Sequence, residues 1–218
     1  MQSHTPASSA TSASSTAPAP RAAGPGDAPA VGRAMAAAFD DDPMMRWLFP
    51  DEAGRTDGLG RYFTTLFTRQ YQPHGFCEVT GDGAAASFWV PPQAREKAVP
   101  DQETIGALIE ILGPRAARLR AGVELAAAHT PERPHWYLAL LGADPAVRGR
   151  GRGAALLRSG LAHADAEGAP AYLESSKEAN LAFYAHFGFT EIGRLQLPDG
   201  GPTLWQMWRE PATGGSRV

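Results

Sequence analysis

The stretch VRGRGRGAA, residues 147 to 155, combines positive charge with backbone freedom in a way that could hold a phosphate group. It alternates three arginines with three glycines: Arg148, Gly149, Arg150, Gly151, Arg152 and Gly153, followed by Ala154. Two chemistries fit this composition. One is a disordered, nucleic-acid-binding segment of the arginine–glycine kind. The other is a folded anion cradle at the start of a helix, where backbone N–H groups lack helical partners and attract phosphate oxygens.

The position of the stretch separates these two possibilities. It follows HWYLALL (His135 to Leu141), which is typical of a buried strand, and it precedes Ala154 to Glu167, where apolar residues recur at helical spacing up to Gly168. A disordered repeat is expected in a polar tail instead. The chain also has a formal net charge of −3, so it lacks an overall basic field for nucleic acid. We therefore predict an anion cradle and no nucleic-acid partner.

The flanking elements predict an α/β (α+β) fold. A strand, a glycine-rich turn, a helix and a strand at 170–174 form a βαβ unit, which is typical of a mixed sheet covered by helices. The remaining periodic segments predict strands at 76–79, 84–90, 189–196 and 203–209, and helices at 28–39, 59–70, 102–112 and 115–128, with a short helix ending at Gly188. We place the folded domain at 27–210. Residues 1–26, rich in Ser, Thr, Ala and Pro, are predicted to be a disordered leader, and residues 211–218 a flexible tail.

Bulk composition limits the possible settings of the chain. The single cysteine, Cys77, cannot form an internal disulfide, which favours a reducing cytoplasm. Paired Cys/His spacing is absent from the sequence, so we expect no metal. No apolar run reaches the roughly 20 residues that span a bilayer, so we expect no membrane partner.

The turn itself resembles a known family. Arg148-x-x-Gly151-x-Gly153, which follows Asp144-Pro145, is similar to the pyrophosphate-binding turn of the GCN5-related N-acetyltransferases (GNAT). It lacks the Gly-Lys-Ser/Thr of a Walker loop, and its glycine spacing differs from the dinucleotide fingerprint. Downstream strings are similar to the same family: AYLESS (171–176), NLAFY (180–184) and FGF (187–189).

Further strings look similar to the puromycin N-acetyltransferase-like branch of that family. They are FDDDP (39–43), GAAASFWVPP (83–92), HWYLALLGAD (135–144), LPDG (197–200) and WQMWR (205–209). The resemblance therefore extends along almost the whole predicted domain. It implies a GNAT fold with a mixed, mostly antiparallel sheet whose strands splay apart at the acetyl-coenzyme A site.

The resemblance also implies how the coenzyme is held. The N–H groups of Gly149 to Ala154 would bind the phosphates, with Arg148, Arg150 and Arg152 as charged partners. An oxyanion donor would lie where the preceding strand splays, at Leu141, Gly142 or Ala143, with Gly142 permitting a bulge. Asn180 would contact the pantetheine arm. Tyr184, four residues later, would face the same way and act as general acid to the departing thiolate.

Other roles are open at this stage. Glu174, at the carboxyl end of a strand, could deprotonate the amine directly or through water, or it could be a structural or substrate-binding carboxylate. Acidic residues before a proline could attract a cationic acceptor, or they could cap a helix in solvent. The candidate substrate-binding residues are Asp40, Asp42, Trp47 and Trp89, of which the tryptophans could equally be core.

These features predict an N-acetyltransferase that uses acetyl-CoA as cosubstrate and acts on a primary amine of a small molecule, such as puromycin or another toxic amine. The alternative is an acetyl-CoA-binding protein without catalysis. A monomer and a homodimer are both compatible with the sequence.

Overall fold

The computed structural model describes residues 19–212; the predictions for residues 1–18 and 213–218 lie outside this range. Seven strands form one sheet in the order β1-β2-β3-β4-β5-β7-β6. Every neighbouring pair is antiparallel except β4 and β5, which run parallel. The strands are β1 (Pro20–Ala22), β2 (Phe76–Thr80), β3 (Ala85–Val90), β4 (Trp136–Ala143), β5 (Ala171–Ser175), β6 (Thr190–Gln196) and β7 (Thr203–Arg209).

The helices cover both faces of this sheet, which confirms the predicted fold class. They are α1 (Ala28–Phe39), α2 (Pro43–Leu48), α3 (Glu52–Thr65), α4 (Gln102–Leu112), α5 (Ala116–His129), α6 (Arg152–Ala166) and α7 (Leu181–His186). Phe88 packs among residues of α1 and α3, whereas the next residue, Trp89, packs with Leu157 and Leu161 of α6. Because successive strand residues point to opposite faces, β3 separates two cores.

The folded part begins earlier than the sequence indicates. Pro20–Ala22, placed in the predicted leader, pairs with β2 as an edge strand. Arg21 donates to Asp27 at 2.6 and 2.8 Å, so this segment is tied to the start of α1. At the other end, the backbone N–H of Ala212 donates to Asp165 at 2.7 Å. The predicted boundaries at 27 and 210 are therefore too narrow for the described residues.

Two helical segments also differ from expectation. The cluster before Pro43 does end α1, but Asp42 also begins α2, because its carboxylate accepts the N–H groups of Met44 at 2.9 Å and Met45 at 3.2 Å. Helix α3 starts at Glu52 rather than Leu59 and continues into a π-helical turn, Leu66–Tyr71. Across residues 19–212, no helix has the length and apolar character that crossing a membrane requires.

Candidate active site

A cleft opens where β4 and β5 separate. The two strands pair only at Trp136↔Ala171 and Tyr137↔Tyr172, although β4 continues for six further residues and β5 for three. Beyond Tyr137 the facing edges of the strands have no ladder between them, and a cavity of about 220 Å³ lies there. Residues 138–141 and 173–176 form its strand walls. The predicted splay is thus present, at the parallel pair.

The bulge in β4 lies elsewhere than predicted. Phe88 pairs with Leu140 and Trp89 with Leu138, so Ala139 is the extra residue of β4. Ala139 lines the cavity, which places irregular backbone at the cleft. Gly142 serves a different purpose: a Cβ there would lie 2.6 Å from the Met35 sulfur of α1. Gly142 therefore permits close packing of a helix on the sheet rather than a bulge.

The arginine–glycine turn, where an anion cradle was predicted, lies at the N-terminus of α6. Gly149 and Gly151 adopt φ of +75° and +73°, a left-handed conformation that favours glycine. Within residues 19–212, the N–H groups of residues 149 to 154 donate to no protein acceptor; the first helical bond is from Ala155 to Gly151 at 2.9 Å. Six consecutive donors at the positive end of a 15-residue helix suit a diphosphate.

The three arginines of the turn have different environments. Arg148 and Arg150 are exposed and free to reach phosphate oxygens. Arg152 is buried and ion-paired with Asp82 of the β2–β3 turn, where its Nε donates at 3.0 Å. Asp82 also accepts from Thr80 at 2.7 Å and from the N–H of Ala84 at 3.2 Å. Arg152 is therefore an anchor for the cradle, and the prediction that it binds phosphate does not fit this geometry.

The cleft brings together four predicted site residues with polar side chains, and Leu141 of β4 lies in its wall as well. Glu174, Tyr184, Asn180 and Asp42 all line the cavity. Asn180 lies at the start of α7, and Tyr184 follows one turn later, so both face the cavity from the same helix. These four residues contribute two carboxyl groups, one amide and one phenol to the cavity wall.

The three other predicted substrate-binding residues lie outside the cavity wall. Asp40 is half-buried at the end of α1 and its backbone carbonyl accepts from Arg46. Trp47 is buried and its Nε1 donates to the carbonyl of Asp199 at 3.3 Å. Trp89 is fully buried against α6, so closely that a Cβ at Gly160 would lie 2.2 Å from its Nε1. The two tryptophans are core residues.

Glu174 has an environment suited to a general base. Burial raises its pKa, while hydrogen bonds from Tyr172 and Tyr137 and the charge of Arg95 act in the opposite direction. A carboxylate whose pKa is raised binds a proton more strongly, and it is therefore a better base near neutral pH.

Tyr184 remains protonated at neutral pH, since burial and the nearby charge of Asp42 raise its pKa above the ordinary value. Its hydroxyl is a hydrogen-bond donor to any anion formed in the cleft, although it gives up its proton less readily than an exposed tyrosine. Burial also raises the pKa of Asp42, against the hydrogen bonds from Ser176 and the α2 backbone that lower it. Ser176 donates to Asp42 at 2.6 Å.

Sequence reasoning missed all the tyrosines of this site except Tyr184, which was already a candidate. The chain has five, and all belong to this region: Tyr62, Tyr71, Tyr137 and Tyr184 line the cavity, and Tyr172 donates to Glu174 at 2.8 Å. Tyr172 could have been found, because residues two apart on a strand share a face and Glu174 was already a candidate.

Comparisons with known proteins agree with this geometry. The sequence model of the acetyltransferase (GNAT) family matches residues 61–189. A Corynebacterium glutamicum protein described as histone acetyltransferase HPA2 and related acetyltransferase is 27% identical with a TM-score of 0.69, covering 91% of this chain and 99% of its own. An N-acetyltransferase from Staphylococcus aureus Mu50 shares the fold at 18% identity and a TM-score of 0.57, over 87% and 98% of the two chains.

The ribosomal-protein-S18-alanine N-acetyltransferase of Escherichia coli also shares the fold, at 16% identity and a TM-score of 0.51, over 91% of this chain and 97% of its own. GNAT enzymes take their acetyl group from acetyl-CoA, and the free N–H groups at α6 fit its diphosphate. Since the family match spans more than half of its residues, this chain belongs to the GNAT family and is an N-acetyltransferase.

Proposed function

We propose that this enzyme acetylates a primary amine of a small molecule, with acetyl-CoA and the amine bound together in the cleft between β4 and β5. The observation that carries the proposal is the cavity: about 220 Å³, with two carboxyl groups and the phenol of Tyr184 in its wall. This volume suits the reacting ends of two ligands. It is small against the roughly 300–1,000 Å³ of typical ligand pockets.

The charges in the cavity favour a cationic acceptor. Asp42 and Glu174 line it, and none of the lysines and arginines among residues 19–212 does. The rest of the wall is largely apolar or aromatic, with Phe39, Met44 and Tyr62 among its members. An ammonium group attached to a compact apolar or aromatic body matches this wall, since aromatic faces and carboxylates both attract cations.

Each residue then has one task in the proposed reaction. Asp42 attracts the ammonium ion, and Glu174 accepts a proton from it, which frees the nitrogen lone pair. A carbon–nitrogen bond forms as the carbon–sulfur bond of the thioester breaks. The nitrogen then loses its second proton, which replaces the proton that Tyr184 donates to the departing thiolate, so that coenzyme A leaves as the thiol. Acetyl-CoA supplies the acetyl group, and Asn180 borders the path of its pantetheine arm.

An aminonucleoside such as puromycin is our first candidate acceptor, with a role in antibiotic resistance. Support comes from the strings shared with the puromycin N-acetyltransferase-like branch, one of which, FDDDP, contains Asp42 and begins at Phe39. Both residues line the cavity.

We also propose a cytoplasmic setting, because Cys77 is buried and has no second cysteine to pair with. The proposed domain runs from about residue 19, with no nucleic-acid partner and with a monomer or a homodimer as the working form.

The test is a substrate panel. Purified protein is incubated with acetyl-CoA and either small amines, including puromycin, or peptides with an N-terminal alanine or an internal lysine, and thiol release and product mass are followed. We expect release with at least one small amine and a product 42 Da heavier by simple acetyl addition. Release with peptides alone would overturn the small-molecule acceptor. Glu174→Gln, with Glu167→Gln outside the cleft as matched control, then tests the proposed base.

A further inference from the structure

A chain of side-chain hydrogen bonds runs from β7 to the cleft. Gln206 lies directly opposite Glu174 in the β5–β7 ladder. Its Nε2 donates to the Tyr172 hydroxyl at 2.8 Å, and that hydroxyl donates to Oε1 of Glu174 at 2.8 Å. Two side chains on adjacent strands therefore act on one carboxylate, Tyr172 directly and Gln206 through Tyr172.

The chemistry of the atoms fixes which one donates and which one accepts in each of these hydrogen bonds. Nε2 of Gln206 also donates to the backbone carbonyl of His129 at 3.0 Å, and a carbonyl can only accept. The amide nitrogen must therefore face both partners, so the Tyr172 oxygen accepts from it. The single phenolic proton then points to Glu174.

Solvent cannot readily replace these bonds. Tyr172 is fully buried and Gln206 is 6% exposed. The Tyr172 ring is held between His135, at 5.2 Å, and Tyr137, at 6.0 Å between ring centroids. In such surroundings a hydrogen bond to a carboxylate is stronger than in water, and its loss leaves the carboxylate short of a partner.

We propose that Tyr172 and Gln206 are positioning residues that hold Glu174 through its Oε1 atom and so orient it toward the acceptor amine. The proposal rests on the proposed role of Glu174 as base. The hydrogen bond from Gln206 to His129, the last residue of α5, also connects the base to a helix that contributes Gly122 and Val123 to the same cavity.

The groups around Glu174 determine how its pKa changes when these hydrogen bonds are lost. Burial raises its pKa, and donors and positive charge lower it: Tyr172 on β5, Tyr137 on β4 and Arg95 after β3. Tyr71, from the π-helical turn, is close enough to sense the Glu174 charge. Tyr172→Phe removes the largest of the opposing contributions and keeps the others, so the pKa of Glu174 must rise.

The experiment is an NMR titration of full-length protein labelled with ¹³C at the glutamate carboxyl carbon. The Glu174 signal is assigned by its loss in Glu174→Gln. We expect Tyr172→Phe to raise its midpoint by about one pH unit, a tenfold change in the ionisation constant. Gln206→Leu leaves the Tyr172 oxygen without its donor, and we expect a smaller rise. Tyr62→Phe removes a hydroxyl from the same cleft without touching Glu174, and the midpoint should stay in place.

An unchanged midpoint in both Tyr172→Phe and Gln206→Leu, with both variants folded by circular dichroism, would overturn the positioning role. The use of two variants covers the case in which one of them does not fold. The titration needs no acceptor, so its outcome is separate from the base assignment: if Glu174→Gln retains full thiol release, the proposed base is wrong whatever the midpoints show.

Discussion

Replacing Gly149 by alanine tests whether the arginine–glycine turn must hold its left-handed conformation to bind coenzyme. Gly149 has φ of +75°, and no atom lies within 4 Å of the position a Cβ would take. The change therefore introduces backbone strain without a clash. Left-handed backbone costs a residue with a Cβ about 1–2 kcal/mol, and the loss of glycine freedom in the unfolded chain offsets about 0.4–1 kcal/mol of this.

The net result is a loss of about 1 kcal/mol in the free energy of unfolding, which lowers Tm by about 2–4 °C in a domain of this size. The free turn can instead relieve this strain by leaving the left-handed conformation. In that case CoA binding must restore the conformation. The affinity for CoA then falls by up to about fivefold, the factor that corresponds to 1 kcal/mol.

Thermal unfolding and calorimetric titration with CoA measure both effects. Gly168→Ala is the matched control, because Gly168 has φ of +62° and open space around its Cβ position but follows the other end of α6, so alanine there should lower Tm and leave CoA affinity unchanged. Strain that the free turn has relieved no longer lowers Tm, so a Gly149→Ala protein in which both Tm and CoA affinity are unchanged would refute the assignment of this turn to the coenzyme.

Two further substitutions test separate parts of the account. Asp42→Asn keeps an oxygen to cap α2 but removes the charge, so we expect a raised KM for a cationic acceptor, measured by initial rates, with Asp40→Asn outside the cavity as the unaffected control. Asp82→Asn leaves Arg152 without its carboxylate partner. We expect the free energy of unfolding to fall by about 1–2 kcal/mol, which is less than for a fully buried ion pair because Asp82 is 36% exposed. We also expect weaker CoA binding. The Arg152 guanidinium lowers the pKa of Asp82, so this stabilisation is present above the unfolded value of about 3.9 and is lost as pH falls below it. Acid unfolding of Asp82→Asn should therefore be less steep than that of the wild type, and equal slopes would contradict the pair.

The elements from α4 to β7 follow from periodicity and turn residues to within about two residues, and α4 and α6 among them bury clear apolar faces. Helix α2 was missed since it has six residues, and the acidic cluster before Pro43 both ends one helix and begins the next. Strand β1 has three residues with little strand propensity, and its extended conformation is stabilised by pairing with β2 rather than by its own sequence.

The site was partly predictable for a related reason. The glycines and Glu174 lie within a continuous βαβ segment where spacing carries information, whereas the roles of Asn180 and Tyr184 came from the family resemblance. The partner of Arg152 is 70 residues away, and the bulge at Ala139 has no glycine to mark it. The direction in which Trp89 points depends on register, which its residue type does not reveal.

The most direct test of the central claim, that acetyl transfer takes place in the cleft between β4 and β5, is kcat for thiol release by Tyr184→Phe. The assay uses saturating acetyl-CoA and the acceptor that the amine panel identifies. The account predicts a fall of about a hundredfold or more with CoA affinity close to that of the wild type, since general acids contribute about 10²–10⁴-fold. An unchanged kcat would contradict it, because no other phenol of the cleft lies on α7 beside Asn180.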